Sequence, residues 1–362
     1  MISSLRKVEL RIDDVAYGGK GVARESGKAV FIPFTIAGEK VEAQVVREKR
    51  KFAHAEVLAI LEPSAHRVTP ECPYFGKCGG CSYQHIDYEH QLAIKWRQVR
   101  DVLQRIGKLQ DIPMRPIIPS PRAYGYRNRI TVHAEDGVLG FFRRDSHRLL
   151  EIERCPIARD EVNDSLVRLR SSRVRDGHYA LRVDAEGPRV FAQANDDVAG
   201  ALRELVTQLV PPRQELLIDA YCGAGFFAKA LIEKFDRVIG IDWDRFAIQE
   251  AEKNATSKET YRAGDVERVL IDLPAHAPAA QKSKTTLIAD PPATGIPGAV
   301  RRAILALAPQ TFIYVSCNPS TLGRDLHELQ EGFTIESVTP LDMFPQTAEI
   351  EVAVHLQART AP

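Results

Sequence analysis

The chain has 362 residues, 44% of them hydrophobic and 27% charged, enough for two or three separate cores and too many for one small stapled fold. A net charge of +1 excludes a chain that is basic throughout, and no run approaches the roughly 18 to 20 apolar residues of a bilayer span. Met1 to Asp13 lacks the basic-then-apolar layout of a secretory leader, so the cytoplasm, with no membrane attachment, is the expected setting.

Val8 to Ile60 carries short alternating apolar runs broken by Gly18-Gly19-Lys20-Gly21 and Ala37-Gly38-Glu39. This punctuation predicts four or five strands in a small closed barrel of the oligonucleotide-binding kind. Arg47, Lys49, Arg50 and Lys51 form a basic cluster on it, and Pro63 to Pro70 reads as a linker. Then come Cys72, Cys78 and Cys81 in Cys-Pro-Tyr-Phe-Gly-Lys-Cys-Gly-Gly-Cys, with Cys155 far downstream. In a reducing compartment such a three-plus-one set points to metal ligation rather than disulfides. It suits an iron-sulfur cube better than zinc, whose sites more often show two close pairs.

Leu92, Trp96, Val99, Leu103 and Ile106 recur at spacings of four and three. They predict a helix over about 88–106 that Gly107 ends, with Lys95, Arg97 and Arg100 off the apolar stripe and open to solvent or an anionic partner. From Ile117 to about Gln193 the text is strand-like and rich in arginine, with Arg122, Arg127, Arg129, Arg143, Arg144 and Arg148 in one group and Arg168, Arg170, Arg173 and Arg175 soon after. A helix is expected near Asp160 to Arg170. The arginines could meet phosphates, and Tyr124 and Tyr126 could stack on bases, although a charge run is as often a solvated face.

From Leu216 onward strands and amphipathic helices alternate, which predicts a doubly wound parallel sheet. The first turn, Asp219-Ala220-Tyr221-Cys222-Gly223-Ala224-Gly225-Phe226, has glycines that let the backbone approach a cofactor, and Asp242 closes the next strand where a ribose would be read. Gly223, Gly225 and Ala228 literally spell a dinucleotide motif, so the turn alone leaves a dinucleotide and S-adenosylmethionine both open. Asp265 after the third strand and Asp290-Pro291-Pro292 after the fourth favour the methyl donor. Cys222 reads as a small buried filler. Ser316-Cys317-Asn318-Pro319 places a thiol at a strand end and helix start, where a thiolate is favoured, so Cys317 is the expected nucleophile.

These motifs together resemble the RNA 5-methyluridine methyltransferase family almost end to end. Cys-x5-Cys-Gly-Gly-Cys with a distant Cys is similar to the family's 4Fe-4S ligand set, Tyr126-Arg127-Asn128-Arg129 to its Tyr-Arg-Asn-Lys stretch, and Gln193-Ala194-Asn195 to its Gln-Val-Asn. Ser316-Cys317-Asn318-Pro319 matches its nucleophile loop, and Met343 to Thr347 leads into Glu351 where the family has its general base. The resemblance implies a Rossmann-like class I methyltransferase domain at 191–362, an OB-like TRAM barrel that binds RNA at 1–62, and a β-rich central domain at 63–190 with the cluster on Cys72, Cys78, Cys81 and Cys155. The helix at 86–107 could pack on the catalytic part. It also implies donor contacts from Gln193, Tyr221, Gly223, Gly225, Asp242, Asp265 and Asp290, with Asp290 reading uracil.

The implied reaction is methylation at carbon 5 of a uridine in structured ribosomal or transfer RNA, with Cys317 adding to carbon 6 and Glu351 removing the carbon 5 proton. A monomer suffices. Three positions depart from the family: Ala293 follows Asp-Pro-Pro where arginine is common, Glu349 replaces a frequent histidine, and Phe226 occupies a polar donor-contact position. They keep open a second reading, an RNA-binding protein that retains the fold without turnover. A dinucleotide oxidoreductase is a third.

Overall fold

The computed structural model describes residues 6–184, 187, 190, 192–272 and 284–359, so the end of the strand-like text before Gln193 lies partly outside the described residues. The chain divides into two compact units, one of residues 1–98, 121–185 and 344–349, the other of 99–120, 186–343 and 350–362.

In the first unit β1 (Arg6–Ala16), β2 (Lys20–Glu25), β3 (Lys28–Pro33), β4 (Lys40–Glu48) and β5 (Phe52–Glu62) close into a barrel of order β1-β2-β3-β5-β4. Period-two alternation sends Leu10, Ile12, Val30, Ile32, Val41 and Ala43 inward. The expected small barrel is therefore present, with five strands. After it, α1 (Tyr88–Gly107) begins in this unit and ends in the other. Gly107 is the last residue of the helix rather than its left-handed cap: Lys108 takes that conformation (φ 51°), and a Cβ on Gly107 would lie 3.0 Å from the Gly323 carbonyl. Nor is Lys95 open to solvent. It is 1% exposed, its Nζ donating to the Phe344 carbonyl at 3.0 Å and lying 5.9 Å from the Tyr83 ring centre. Arg97 donates to Asp14 at 2.7 Å.

The rest of this unit is a four-stranded antiparallel sheet. Its strands are β6 (Arg129–Glu135), β7 (Val138–Phe142), β8 (Leu149–Glu151) and, after α2 (Asp160–Arg170), β9 (Gly177–Arg182), in the order β8-β7-β6-β9. Ile130, Val132 and Ala134 of β6 and Leu139 of β7 pack on Val162 and Leu166 of α2.

The second unit holds α3 (Asp196–Leu209), β10 (Gln214–Ala220), α4 (Ala228–Leu231), β11 (Phe235–Asp242), α5 (Arg245–Glu252), β12 (Glu259–Ala263) and α6 (Val266–Asp272). Then come β13 (Thr285–Ala289), α7 (Gly298–Leu307), β14 (Thr311–Ser316), α8 (Pro319–Leu329), β15 (Phe333–Leu341) and β16 (Glu351–Ala358). Their sheet runs β12-β11-β10-β13-β14-β16-β15, parallel except for β16, which is antiparallel to both neighbours. The central strands β10, β13 and β14 are buried on both faces, as near-continuous apolar runs require. This is the expected doubly wound α/β sheet.

Candidate active site

In an open parallel sheet the strand ends that carry carboxyl termini form the ligand edge. Ala289 at the end of β13 pairs with Ala220 of β10 and Tyr314 of β14, so Asp290 emerges between those two strand ends. Because β16 enters in the opposite sense, its first residue, Glu351, reaches the same edge, and Ser316 pairs with Val352 beside it. Cys317 follows directly. One edge thus gathers Asp219, Tyr221, Gly223, Gly225, Asp242, Asp290, Cys317 and Glu351.

The turn after β10 is built on left-handed residues: Gly223 (φ 54°), Gly225 (φ 86°) and Tyr221 (φ 64°), the last a bulky side chain that tolerates this region poorly. The Gly223 amide donates to Asp242 at 2.8 Å, while the other oxygen of Asp242 accepts the Asp244 amide at 2.9 Å. Its carboxylate is thereby aimed before any ligand arrives. Asp265 caps the turn into α6 by accepting the Glu267 amide at 2.8 Å. Gln193, buried before α3, donates through Nε2 to Asp290 at 3.4 Å. Asn195, two residues on, donates to Ser120 at 3.0 Å and its Oδ1 accepts the Val198 amide.

Cys317 sits at the N-terminal end of α8, in a turn fixed on both sides. The Asn318 amide donates to Ser316 Oγ at 3.2 Å, Asn318 Oδ1 accepts the Ser320 amide at 3.0 Å as the helix cap, and Pro319 occupies the first turn. The Asn318 side-chain amide also donates to the Ala293 carbonyl at 3.1 Å, and the Thr321 hydroxyl does so at 3.0 Å. The Asp-Pro-Pro loop and the cysteine loop are therefore tied through the backbone of Ala293, whose own side chain takes no part. Cys317 is partly exposed; Cys222, by contrast, is buried and its thiol is pushed far up by burial, as a filler's would be.

Three acids at this edge, Asp290, Glu351 and Asp219, are pushed toward the neutral form. Asp290 keeps an opening to solvent, yet burial pushes it up to about 7. Glu351 is 3% exposed, and burial, then the charge of Asp290, raise it well above the carboxylate range. Asp219, fully buried and accepting the Ala228 amide at 2.9 Å, is pushed up to about 8 by burial and then by Asp290 and Asp242. Burial first, then Asp265, Asp325 and Asp242, push Tyr221 up to about 12.

Beneath the site Asp325, 0% exposed, accepts from the Ile296 amide (2.8 Å), Tyr314 Oη (2.7 Å), Arg301 Nη1 (2.8 Å) and Arg324 Nε (2.8 Å). Arg301 also donates to Glu328 and to the Ile296 carbonyl. This hub fixes α8, and hence Cys317, against the loop that follows Asp290. Sequence reasoning passes over Asp219, whose one signal was an acid closing an apolar run, and over Asp325, which reads as an ordinary helix charge. It also misses Trp243, an exposed aromatic directly after Asp242.

Cys72, Cys78, Cys81 and Cys155 belong to the other unit. They line one cavity of about 420 Å³ together with Gln84, Arg127 and Phe142. The Cys72 amide donates to Gln84 Oε1 at 3.1 Å, and the Cys155 amide donates to the buried Asn163 at 2.8 Å. Burial pushes Cys81 up to about 12 and Cys155 up to about 11. Among the described residues no group of three or more His, Cys, Asp or Glu side chains is gathered as a site for a metal ion.

A sequence model of a family described as tRNA (Uracil-5-)-methyltransferase matches residues 279–359, and one of the TRAM domain matches residues 6–58. An uncharacterized RNA methyltransferase of Synechocystis sp. is 30% identical over 452 residues, covering 97% of this chain and 96% of its own. One from Bdellovibrio bacteriovorus is 30% identical over 382 residues, covering 97% and 95%.

The chain belongs to the family of S-adenosylmethionine-dependent RNA (uracil-5) methyltransferases.

The fold agrees. The Pyrococcus abyssi tRNA (uracil-54, C5)-methyltransferase, solved with S-adenosyl-L-homocysteine, superposes with a TM-score of 0.72 over 96% of this methyltransferase and 100% of that chain, at 21% identity. The closed barrel of β1 to β5 is the TRAM domain.

Proposed function

We propose that this methyltransferase acts on one uridine of a structured ribosomal or transfer RNA through a covalent bond between Cys317 and carbon 6 of the base. What carries the reading is the common edge of a partly exposed thiol at the start of α8, the carboxyl of Asp290 and the buried carboxyl of Glu351. Carbon 5 of uracil is a weak nucleophile until electron density is driven onto it. The Cys317 thiolate adds to carbon 6 and its electron pair passes through the ring to an enolate, which Asp290 stabilises by a hydrogen bond at the polar edge of the base. The donor's sulfonium supplies the methyl group, its S–CH3 electron pair staying on sulfur. Glu351 then takes the carbon 5 proton, carbon 6 releases the thiolate, and the ring is aromatic again. Gln193, Tyr221, Gly223, Gly225, Asp242 and Asp265 are assigned to the donor, with the Trp243 face beside its adenine. A base must leave its stack to enter.

The cysteines of the first unit are assigned to a 4Fe-4S cluster. Four cysteines lining one cavity are the chemistry such a group takes, and its positive core would stabilise thiolates that burial disfavours. The assignment gives the cluster a structural role in the central domain, read as 63–190, and no part in methyl transfer. Iron and sulfide content after anaerobic purification tests it, with stoichiometric zinc as the opposing result.

The decisive experiment is incubation with donor and 5-fluorouridine RNA, in which fluorine cannot leave as a cation and the covalent adduct persists. Wild type should be trapped and Cys317→Ser should not. Wild type that binds RNA yet forms no adduct would favour a protein that keeps the fold without turnover.

A further inference from the structure

The four-stranded sheet of the first unit has two very different faces. One is covered by α2. On the other, β6 presents Arg129, Thr131, His133 and Glu135, because Ile130, Val132 and Ala134 point to the core; Thr131 and His133, with Phe142 and Arg143, border the cysteine cavity, and the face continues beyond it to His147 and His178. Register places Arg182 opposite Arg129, Ala180 opposite Thr131 and His178 opposite His133 on β9. From β7 and the turn after it, Phe142 and His147 join the same row. Ring centres step from His147 to Phe142 (5.9 Å), to His133 (4.3 Å) and to His178 (6.5 Å). Phe142 is 37% exposed, and His147 and His178 are exposed. A row of four flat rings is not what a solvated face needs.

Charge completes the pattern. Arg129 and Arg182 flank one end of the row and the exposed Arg143 and Arg148 the other, held together by the Arg143 amide donating to the Arg148 carbonyl at 2.9 Å. Of the nearby acids, Glu151 is already bound by Arg170 at 2.7 Å, Asp145 lies in the turn itself 3.9 Å from Arg144, leaving that turn with more arginines than acids, and Glu135 stands at the hairpin end of β6. Flat rings with cationic flanks match unstacked bases with phosphates beside them, whereas a duplex hides its base faces. Four-stranded sheets with such rings take two or three splayed bases.

We propose that this open face, centred on His133, Phe142, His147 and His178, is a stacking platform for an unpaired segment of the substrate RNA. The inference rests on the RNA-modifying reading above and adds a second recognition site to it. The platform reads strandedness: it selects RNAs whose target lies near a loop or bulge.

Histidine footprinting with diethyl pyrocarbonate tests it on the full chain. A short unstructured RNA should protect His147 and His178, the same RNA annealed to its complement should not, and His66 on the barrel side should react throughout. The pair His147→Ala with His178→Ala, both exposed and outside the cysteine cavity, should weaken single-strand binding about tenfold or more with unchanged melting. Equal modification of the histidines at saturating single strand would overturn the proposal, as would equal protection by duplex. Protection that appears without RNA and grows with protein concentration would assign the face to a second copy instead. The 5-fluorouridine adduct separates the two readings: adduct formation with an unprotected platform sinks this inference alone, and a protected platform without adduct sinks the covalent mechanism alone.

Discussion

Asp325→Asn changes one oxygen for an NH2 group at the hub beneath the cysteine loop, and its cost can be worked from the bonds. The carboxylate takes donors on both oxygens: Ile296 N–H and Tyr314 Oη on one, Arg301 and Arg324 on the other. Whichever way the amide turns, a donor faces a donor. Removing one partner of a buried ion pair costs about 3–5 kcal/mol. Arg301 keeps Glu328 through two bonds of 2.7 Å, and Arg324 is about half exposed and can rehydrate. The lower end, about 3 kcal/mol, is therefore expected. Urea unfolding should shift its midpoint down by about 1 M or more, and the Ile296 amide should exchange faster with solvent. Because the hub also sets α8 against the loop after Asp290, the adduct should form more slowly at saturating RNA. An unchanged midpoint with unchanged Ile296 exchange would refute the assignment of Asp325 as the tie between α8 and the loop after Asp290.

Three further outcomes follow from the same geometry. Burial, then the charge of Asp290, raise Glu351 well above the usual carboxylate range, and the base is active only when ionised, so single-turnover methyl transfer should rise with pH at values above those at which an ordinary carboxylate ionises; a flat profile would remove Glu351 as base. His85, 2% exposed beside Phe34 and Phe75, has no hydrogen bond of good geometry on either ring nitrogen and is pushed down to about 3 by burial. Since the unfolded chain binds that proton at an ordinary 6.5, stability is full above about pH 6.5 and falls as pH drops toward 3, by about 1.4 kcal/mol per unit. His85→Phe should move the acid-unfolding midpoint downward. Gly225→Ala places a Cβ 2.9 Å from Tyr261 Oη at φ 86°, and calorimetry should find donor binding at least about tenfold weaker, the effect of 1–3 kcal/mol of backbone strain in the cradle.

Much of the catalytic edge is legible in the sequence because local chemistry fixes it. Asn318 and Pro319 announce a helix start, so the thiol before them has to stand at a strand end, and the glycines at 223 and 225 sit where the backbone turns left-handed. Glu351 is different. Its surroundings read as ordinary strand, and only the reversed entry of β16 brings it to the edge. The buried ions were hidden for a related reason: Lys95, Arg301 and Asp325 have the spacing of surface charges on amphipathic helices, and their hydrogen-bond partners (the Phe344 and Ile296 carbonyls and the Tyr314 hydroxyl, which donates to Asp325) are distant in sequence or contributed by backbone. Gly107 shows the same limit, since its need to lack a Cβ arises from Gly323 and not from its own turn.

The reversed strand has a consequence for how the enzyme can be damaged. β16 is threaded between β14 and β15, and within this sheet β15 has no other neighbour. Interrupting translation just ahead of Glu351 would leave β15 without its neighbour, bare the edge of β14, and remove the carboxyl proposed as proton acceptor in a single stroke. Partial products of synthesis would thus lack the completed catalytic sheet, while the closed barrel of β1 to β5, whose core is its own, lies wholly upstream of the break.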